Sequence, residues 1–300
     1  MEYKAEDLKR IREIELDLYH TMADICRKYN LKFTAGFGTA LGAIRHKGFI
    51  PWDDDMDFLM PRKDFEKFLK VTRKELKGTK YEFLEPRTTK GYVMTFAKLS
   101  RKDTTFIEPT DKHFIYHTGV FIDIYPMDYW PQKKSKRNSV CFQCLVMRRL
   151  MTLATYPRPK FPPGLKSWKK ALAIAACRMV HSFLKLSHIS TEILYRKYLS
   201  LATGTSPEKA DHFVTDMCWC WLRKLKNKWG IIPQYEMFGL QYNDEKLFDT
   251  VMVDFENDKV PVMKEYESYL TKLYKNYMEL PPEDQRHSHV PEILELPDEK

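Results

Sequence analysis

The run Asp53-Asp54-Asp55-Met56-Asp57 is the feature that most limits how this chain folds. It crowds carboxylates between Trp52 and the apolar Phe58-Leu59-Met60. Neighbouring like charges repel, and the repulsion sharpens as water is withdrawn, so a fold that buries the flanking residues must supply a cation or basic groups. In an extended segment side chains alternate, which points Asp53, Asp55 and Asp57 to one side and Asp54 to the other. Hard oxygen donors suit Mg²⁺ or Mn²⁺, ions that keep several waters and meet substrate phosphates through one or two carboxylates. An EF-hand is excluded, because the run lacks the glycine and the closing glutamate of that loop.

The run sits among short elements. Leu8, Ile11, Ile14, Leu18, Met22 and Ile25 recur at spacings of three and four, which predicts an amphipathic helix over residues 3 to 29. Lys32 to Ala35 reads as a strand. Gly36-Phe37-Gly38-Thr39 reads as a turn whose backbone N–H groups face a ligand, and Ala40 to Ile44 as a short helix ended by Gly48. A buried strand over Met56 to Met60, a helix from Arg62 to Glu75, and strands over 81 to 84, 92 to 99 and 119 to 125 follow. From Gln132 to about Leu201 helical periodicity dominates, and Pro157, Pro159, Pro162 and Pro163 divide it in two. Strand signals recur in 247 to 255, and a tyrosine-rich helix runs from Lys264 to Glu279. This order predicts an α+β fold: a core over 1 to 131, a helical insertion over 132 to 205, and a C-terminal part over 206 to 300 that packs on the core.

Within Val120-Phe121-Ile122-Asp123-Ile124-Tyr125, Asp123 is a lone acid in an apolar strand pattern and the expected partner of the acidic run. Arg45 and His46, between the glycine turn and the run, and Lys98, on a neighbouring strand, are candidates for phosphate contact.

Composition narrows the partners. With 50 Lys and Arg against 41 Asp and Glu, the net charge of +9 favours anionic ligands, and the hydrophobic fraction of 43% is enough for a sizeable core. A nucleic-acid- or membrane-binding module without catalysis would use that charge but leaves the acidic run unexplained. Residues 1 to 20 show no secretion signal, so a cytoplasmic chain is expected. Ala171 to Leu186 is too short and too interrupted for a membrane span. Lys166, Lys169, Lys170, Arg178 and Lys185 around it suit peripheral membrane contact. The pairs Cys141-x-x-Cys144 and Cys218-x-Cys220 have the donor count of a zinc site, but both sit in apolar helical patterns where buried thiols are common.

Gly36-Phe37-Gly38-Thr39 followed by Asp55-x-Asp57 resembles the glycine-Ser/Thr turn and Asp-x-Asp strand of the nucleotidyltransferase superfamily, to which DNA polymerase β belongs. The longer string from Gly38 through Gly42, Arg45-His46, Gly48, Pro51-Trp52 to Asp57 resembles the signature of LicD-type phosphocholine transferases, related to the fukutin group. The likeness continues through Thr104-Thr105-Phe106, Ile122 to Asp128, and Tyr269 to Pro282. Lys275-Asn276 stands where the family usually has Gly-Asp.

The resemblance implies a nucleotidyltransferase-like core, a small mixed sheet flanked by helices. It also implies transfer of phosphocholine or a related phosphoalcohol from CDP-choline or another CDP-alcohol to a glycan hydroxyl, with release of CMP. On that reading Asp53, Asp55, Asp57 and Asp123 hold Mg²⁺ or Mn²⁺, and Gly38, Thr39, Arg45, His46 and Lys98 bind the donor. A nucleotidyltransferase that joins a sugar or alcohol phosphate to a nucleoside triphosphate is the alternative within the superfamily.

Overall fold

In the computed structural model, the described residues are 3–109, 114–157, 166–214, 248–286 and 288–297. Helix α1 (Ala5–Tyr29) buries Ile11, Ile14, Leu18, Met22 and Ile25 on one face, and Asn30, in the left-handed conformation at φ 51°, ends it. Strand β1 (Thr34–Ala35) leads into α2 (Phe37–His46), and after the acidic run come β2 (Asp57–Pro61) and α3 (Arg62–Glu75). Phe65, Phe68 and Leu69 of α3 are wholly buried, as their three- and four-residue spacing requires.

Strands β3 (Tyr81–Leu84), β4 (Ala97–Arg101), β5 (Thr105–Ile107) and β6 (Phe121–Pro131) follow. The main sheet has the order β1-β2-β6-β4-β3. Among the described strands only β2 and β6 pair in parallel; β1 pairs with β2, β4 with β6 and β3 with β4 antiparallel. The fold is therefore α+β with a mixed sheet. The parallel pair brings the first residues of β2 and β6 to the same edge, where the acidic run enters.

The described residues of the helical stretch form α4 (Lys134–Thr155), α5 (Ser167–Leu186) and α6 (Thr191–Ala202). Cys141, Cys144, Leu145, Met151, Leu194, Tyr195 and Tyr198 make a second hydrophobic cluster between α4 and α6. Cys141 and Cys144 are buried there, while Cys218 and Cys220 lie outside the described residues. Strand β7 (Ala210–Val214) then pairs with the far end of β6. The hairpin β8 (Thr250–Phe255) and β9 (Asp258–Met263) and helix α7 (Tyr266–Tyr274) return to the main core through Phe255, Val260, Val262, Met263, Tyr269 and Leu270. Strand β10 (Ile293–Glu295) closes the chain against β5. Among the described residues no helix is long and apolar enough to cross a membrane.

Three expectations need correcting. Residues 92 to 96 are not strand: Gly91 has φ 75° and the Tyr92 N–H returns to the Thr89 carbonyl, so the apolar residues there form a turn and loop, and β4 begins only at Ala97. The C-terminal helix ends at Tyr274 rather than Glu279, because Lys275 takes a positive φ of 60° and breaks the ladder. β6 runs six residues beyond Tyr125, to Pro131, because its second half pairs with β7.

Candidate active site

The glycine turn is welded to the start of β2 by hydrogen bonds. The Gly36 N–H donates to the Asp57 carbonyl at 2.9 Å, and the Asp57 N–H donates to Thr39 Oγ1 at 2.7 Å. Thr39 is buried, so its hydroxyl satisfies an amide that water does not reach. The Phe37 N–H donates to the Tyr269 hydroxyl at 2.8 Å, tying α7 to the first turn of α2. A Cβ at Gly38 would stand 2.5 Å from Asp53 Oδ2. Glycine at 38 is thus what lets the Asp53 carboxylate lie against the first turn of α2, where helix N–H groups favour negative charge.

Strand register assembles the rest. Asp57 is paired with Asp123 across β2 and β6, and Asp123 with Lys98 across β6 and β4. Residues paired across neighbouring strands share a face, so two acids and a lysine form a row over three strands. Lys98 Nζ lies 2.9 Å from Asp123 Oδ1, both side chains nearly buried, and the Tyr125 hydroxyl donates to Asp123 Oδ2 at 3.1 Å.

Burial and mutual repulsion dominate the electrostatics. Asp53 and Asp57 are held well above the usual carboxylate range, first by desolvation and then by Asp55. Asp55 is pushed up to about 6 by desolvation and by Asp54 and Asp123, against the pull of His289 and Lys98. On α1, Glu15 is 1% exposed and its Oε2 has no hydrogen-bond partner among the described residues. Desolvation and the charges of Asp55, Asp54 and Asp53 raise it well above the glutamate range.

Asp54 is set apart. It is 2% exposed, and its oxygens accept hydrogen bonds from the Tyr3 hydroxyl and, at 3.0 Å, from the His289 N–H. The His289 ring Nδ1 lies 3.4 Å from Asp54 and 3.6 Å from Asp55, and its pKa is pushed up to about 10, chiefly by the hydrogen bond to Asp54. Arg12 spans the entry to the run, donating to the carbonyls of Ile50, Pro51 and Asp53.

The structure thus brings Gly38, Thr39, Asp53, Asp55, Asp57, Asp123 and Lys98 together. Arg45 and His46 are placed differently. The Arg45 guanidinium donates to the carbonyls of Tyr277 and Glu279 and to His46 Nε2, and the His46 ring stands edge-on to Trp52 with centroids 6.5 Å apart. Arg45 thus faces the C-terminal segment, and His46 faces Trp52. Glu15 and His289 were not anticipated. For Glu15 the signal was an acid beside Ile14 in the apolar stripe of α1, whereas nothing in the polar tail around His289 marks it.

Among the described residues, ligand atoms of Asp53, Asp54 and His289 lie within 4.8 Å of one another and could share a cation, and the Asp54 oxygens in that group already accept from Tyr3 and His289. Asp57 and Asp123 stand side by side across β2 and β6, and Asp53 lies against the first turn of α2. Hard carboxylate oxygens in excess over nearby positive groups fit a divalent cation such as Mg²⁺ or Mn²⁺.

Residues 30–149 match the LicD/FKTN/FKRP nucleotidyltransferase domain. Over 287 residues, 94% of both chains, the sequence is 25% identical to the lipopolysaccharide cholinephosphotransferase LicD of Haemophilus influenzae. An uncharacterized protein of Rickettsia prowazekii is 30% identical over 134 residues, 42% of this chain and 48% of that one. One from Rickettsia typhi is 43% identical over 63 residues, 19% of this chain and 20% of that one. The matched domain spans the glycine turn, the acidic run, Lys98 and Asp123, so over residues 30–149 the chain is similar to the LicD family, and over most of its length to a LicD transferase.

Proposed function

We propose that the chain transfers phosphocholine, or a closely related phosphoalcohol, from a CDP-alcohol to a hydroxyl of a cell-surface glycan, a lipopolysaccharide or teichoic acid precursor, and releases CMP. The observation that carries this reading is the Asp57-Asp123-Lys98 row beside the glycine turn, within a LicD-family domain. The name of the Haemophilus relative supplies the choline phosphate and the lipopolysaccharide.

Asp55 and Asp57, with Asp53 and Asp123, are the residues that would hold Mg²⁺ or Mn²⁺; such an ion neutralises the donor pyrophosphate and the charge on departing CMP. The first turn of α2, Gly38 and Thr39, seats phosphate oxygens at a helix N-terminus. Lys98 neutralises Asp123 and faces the developing charge. The acceptor oxygen attacks the phosphorus in line, the bond to CMP breaks, and the hydroxyl proton passes to Asp123. Catalysis of this kind needs mainly positioning and charge neutralisation. Phe96 and Tyr125, half-buried with ring centroids 4.4 Å apart next to Asp123, offer aromatic surface to a trimethylammonium group.

The test is product analysis. CMP release from CDP-choline that requires Mg²⁺ or Mn²⁺ and increases with a glycan acceptor supports the reading. Pyrophosphate release from CTP with no CMP from any CDP-alcohol sinks it and makes the protein a nucleotidyltransferase.

A further inference from the structure

Helix α5 turns an apolar face outward. Trp168, Leu172, Met179, Phe183 and Leu186 are between 63% and 81% exposed, although side chains of this size are what a helix normally buries. At 3.6 residues per turn these five fall within about 60° of one another around the axis. The opposite face packs on α4: Leu184 is buried, and His181 Nδ1 lies 2.7 Å from the Leu153 carbonyl oxygen. The inward face is therefore occupied and the outward stripe is continuous. By the same spacing, Lys169 lies about 40° beyond one edge of the stripe, and Arg178 and Lys185 lie about 80° and 100° beyond the other; all three are exposed, with side chains long enough to reach the headgroup level of a membrane.

We propose that α5 lies in the interfacial layer of an anionic membrane. Trp168, Leu172, Met179, Phe183 and Leu186 insert below the headgroups, and Lys169, Arg178 and Lys185 rest on lipid phosphates. Charge complementarity selects this occupant. Residues 129 to 191 contain 13 Lys and Arg and no Asp or Glu, more positive charge than the net +9 of the whole chain, so the rest of the molecule is net acidic. A large apolar moment flanked by basic residues on one segregated element is the pattern of helices that lie in the membrane plane. A second copy of this face would set lysine against lysine with no acid to answer it. Nucleic acid would leave the apolar centre of the stripe without a partner. The helix is also not apolar enough to span a bilayer.

This inference does not rest on the reaction proposed above, so its test is a binding measurement. The full chain is floated with phosphatidylcholine vesicles with and without phosphatidylglycerol. Co-flotation only with the anionic vesicles, reversed by high salt, is expected. The Leu172→Ser/Met179→Ser/Phe183→Ser variant, altered only at exposed positions, should lose partitioning by roughly 100-fold with an unchanged melting temperature. The Lys169→Gln/Lys185→Gln variant leaves the stripe intact and should lose roughly fivefold per lysine. Wild-type protein that ignores anionic vesicles overturns the proposal, and so does equal binding by the serine variant. A face that instead drives concentration-dependent self-association, lost in the serine variant, also overturns it in favour of a second copy.

Discussion

Asp55 and Glu15 are both acids held above their ordinary range, but in the reaction proposed above only Asp55 faces the chemistry. Asp55 sits among Asp53, Asp57 and Asp123, and the repulsion that Asp55→Asn relieves outweighs the 3.6 Å pairing with His289 that it weakens, since the Asp55 pKa is raised overall. Turnover should fall by about 100-fold or more with the melting temperature unchanged or higher, read from CMP release and thermal melts. Glu15 allows a pH test. Its folded-state pKa lies above the usual glutamate value, so the folded chain holds a proton that the unfolded chain gives up, and stability declines as pH rises from that usual value through the raised one. Glu15→Gln should melt like the wild type near pH 4 and a few degrees higher at pH 8. Equal melting temperatures at both pH values would remove Glu15 from the electrostatics of the site. Asp55 was legible because like charges at a two-residue spacing are a local pattern, and Asp123 because a lone acid in an apolar strand is conspicuous. His289 was not, since its contact with Asp54 spans 235 residues of chain and its neighbours are polar.

At the scale of elements, the joint between α2 and β2 matters more than either element alone. Thr39 Oγ1 is the acceptor for the buried Asp57 N–H, so Thr39→Val leaves a donor unsatisfied and should cost about 1–3 kcal/mol, while Thr39→Ser keeps the acceptor and most of the stability. Activity should follow the same order, because the displaced amide belongs to an aspartate of the site. Gly38→Ala should act differently. Alanine suits a helix, but its Cβ would push the Asp53 carboxylate away, so stability is kept while the metal concentration needed for half-maximal rate rises. Titrating Mg²⁺ against rate for both variants separates the two effects. Periodicity predicted α1 and α3 closely because their buried faces repeat every three or four residues. It misread residues 92 to 96, where Tyr92 and Val93 are buried by a turn rather than by strand pairing. It also missed β5, whose partner β10 is almost two hundred residues away and so leaves no local trace.

Across the whole molecule, the two ends of the chain meet at Asp54. Tyr3 donates to one of its oxygens and the backbone of His289 to the other, while Arg10 reaches the Pro297 carbonyl and Ser288 donates to the Trp52 carbonyl at 2.7 Å. Arg45 adds a second tie through the carbonyls of Tyr277 and Glu279. The segment after α7 is therefore a strap across the acidic run, fastened to β5 by β10 and to the run by Asp54. Two acids adjacent in sequence should respond in opposite ways to the same substitution. Asp54→Asn replaces one accepting oxygen with an NH₂ group, so a half-buried donor, the Tyr3 hydroxyl or the His289 amide, loses its partner at a cost of about 1 kcal/mol. Part of the His289 ion pair goes as well; since the raised His289 pKa of about 10 reflects that pairing, its contribution in the wild type is present at neutral pH and lost as pH rises through about 10. Asp54→Asn should thus lower the melting temperature at pH 7 and make the strap more open to limited proteolysis, whereas Asp55→Asn should do neither. If the Asp54 variant melts like the wild type and its strap resists protease, the ties through β10, Arg10, Ser288 and Arg45 suffice to hold the termini, and Asp54 belongs with the carboxylates that serve the proposed reaction.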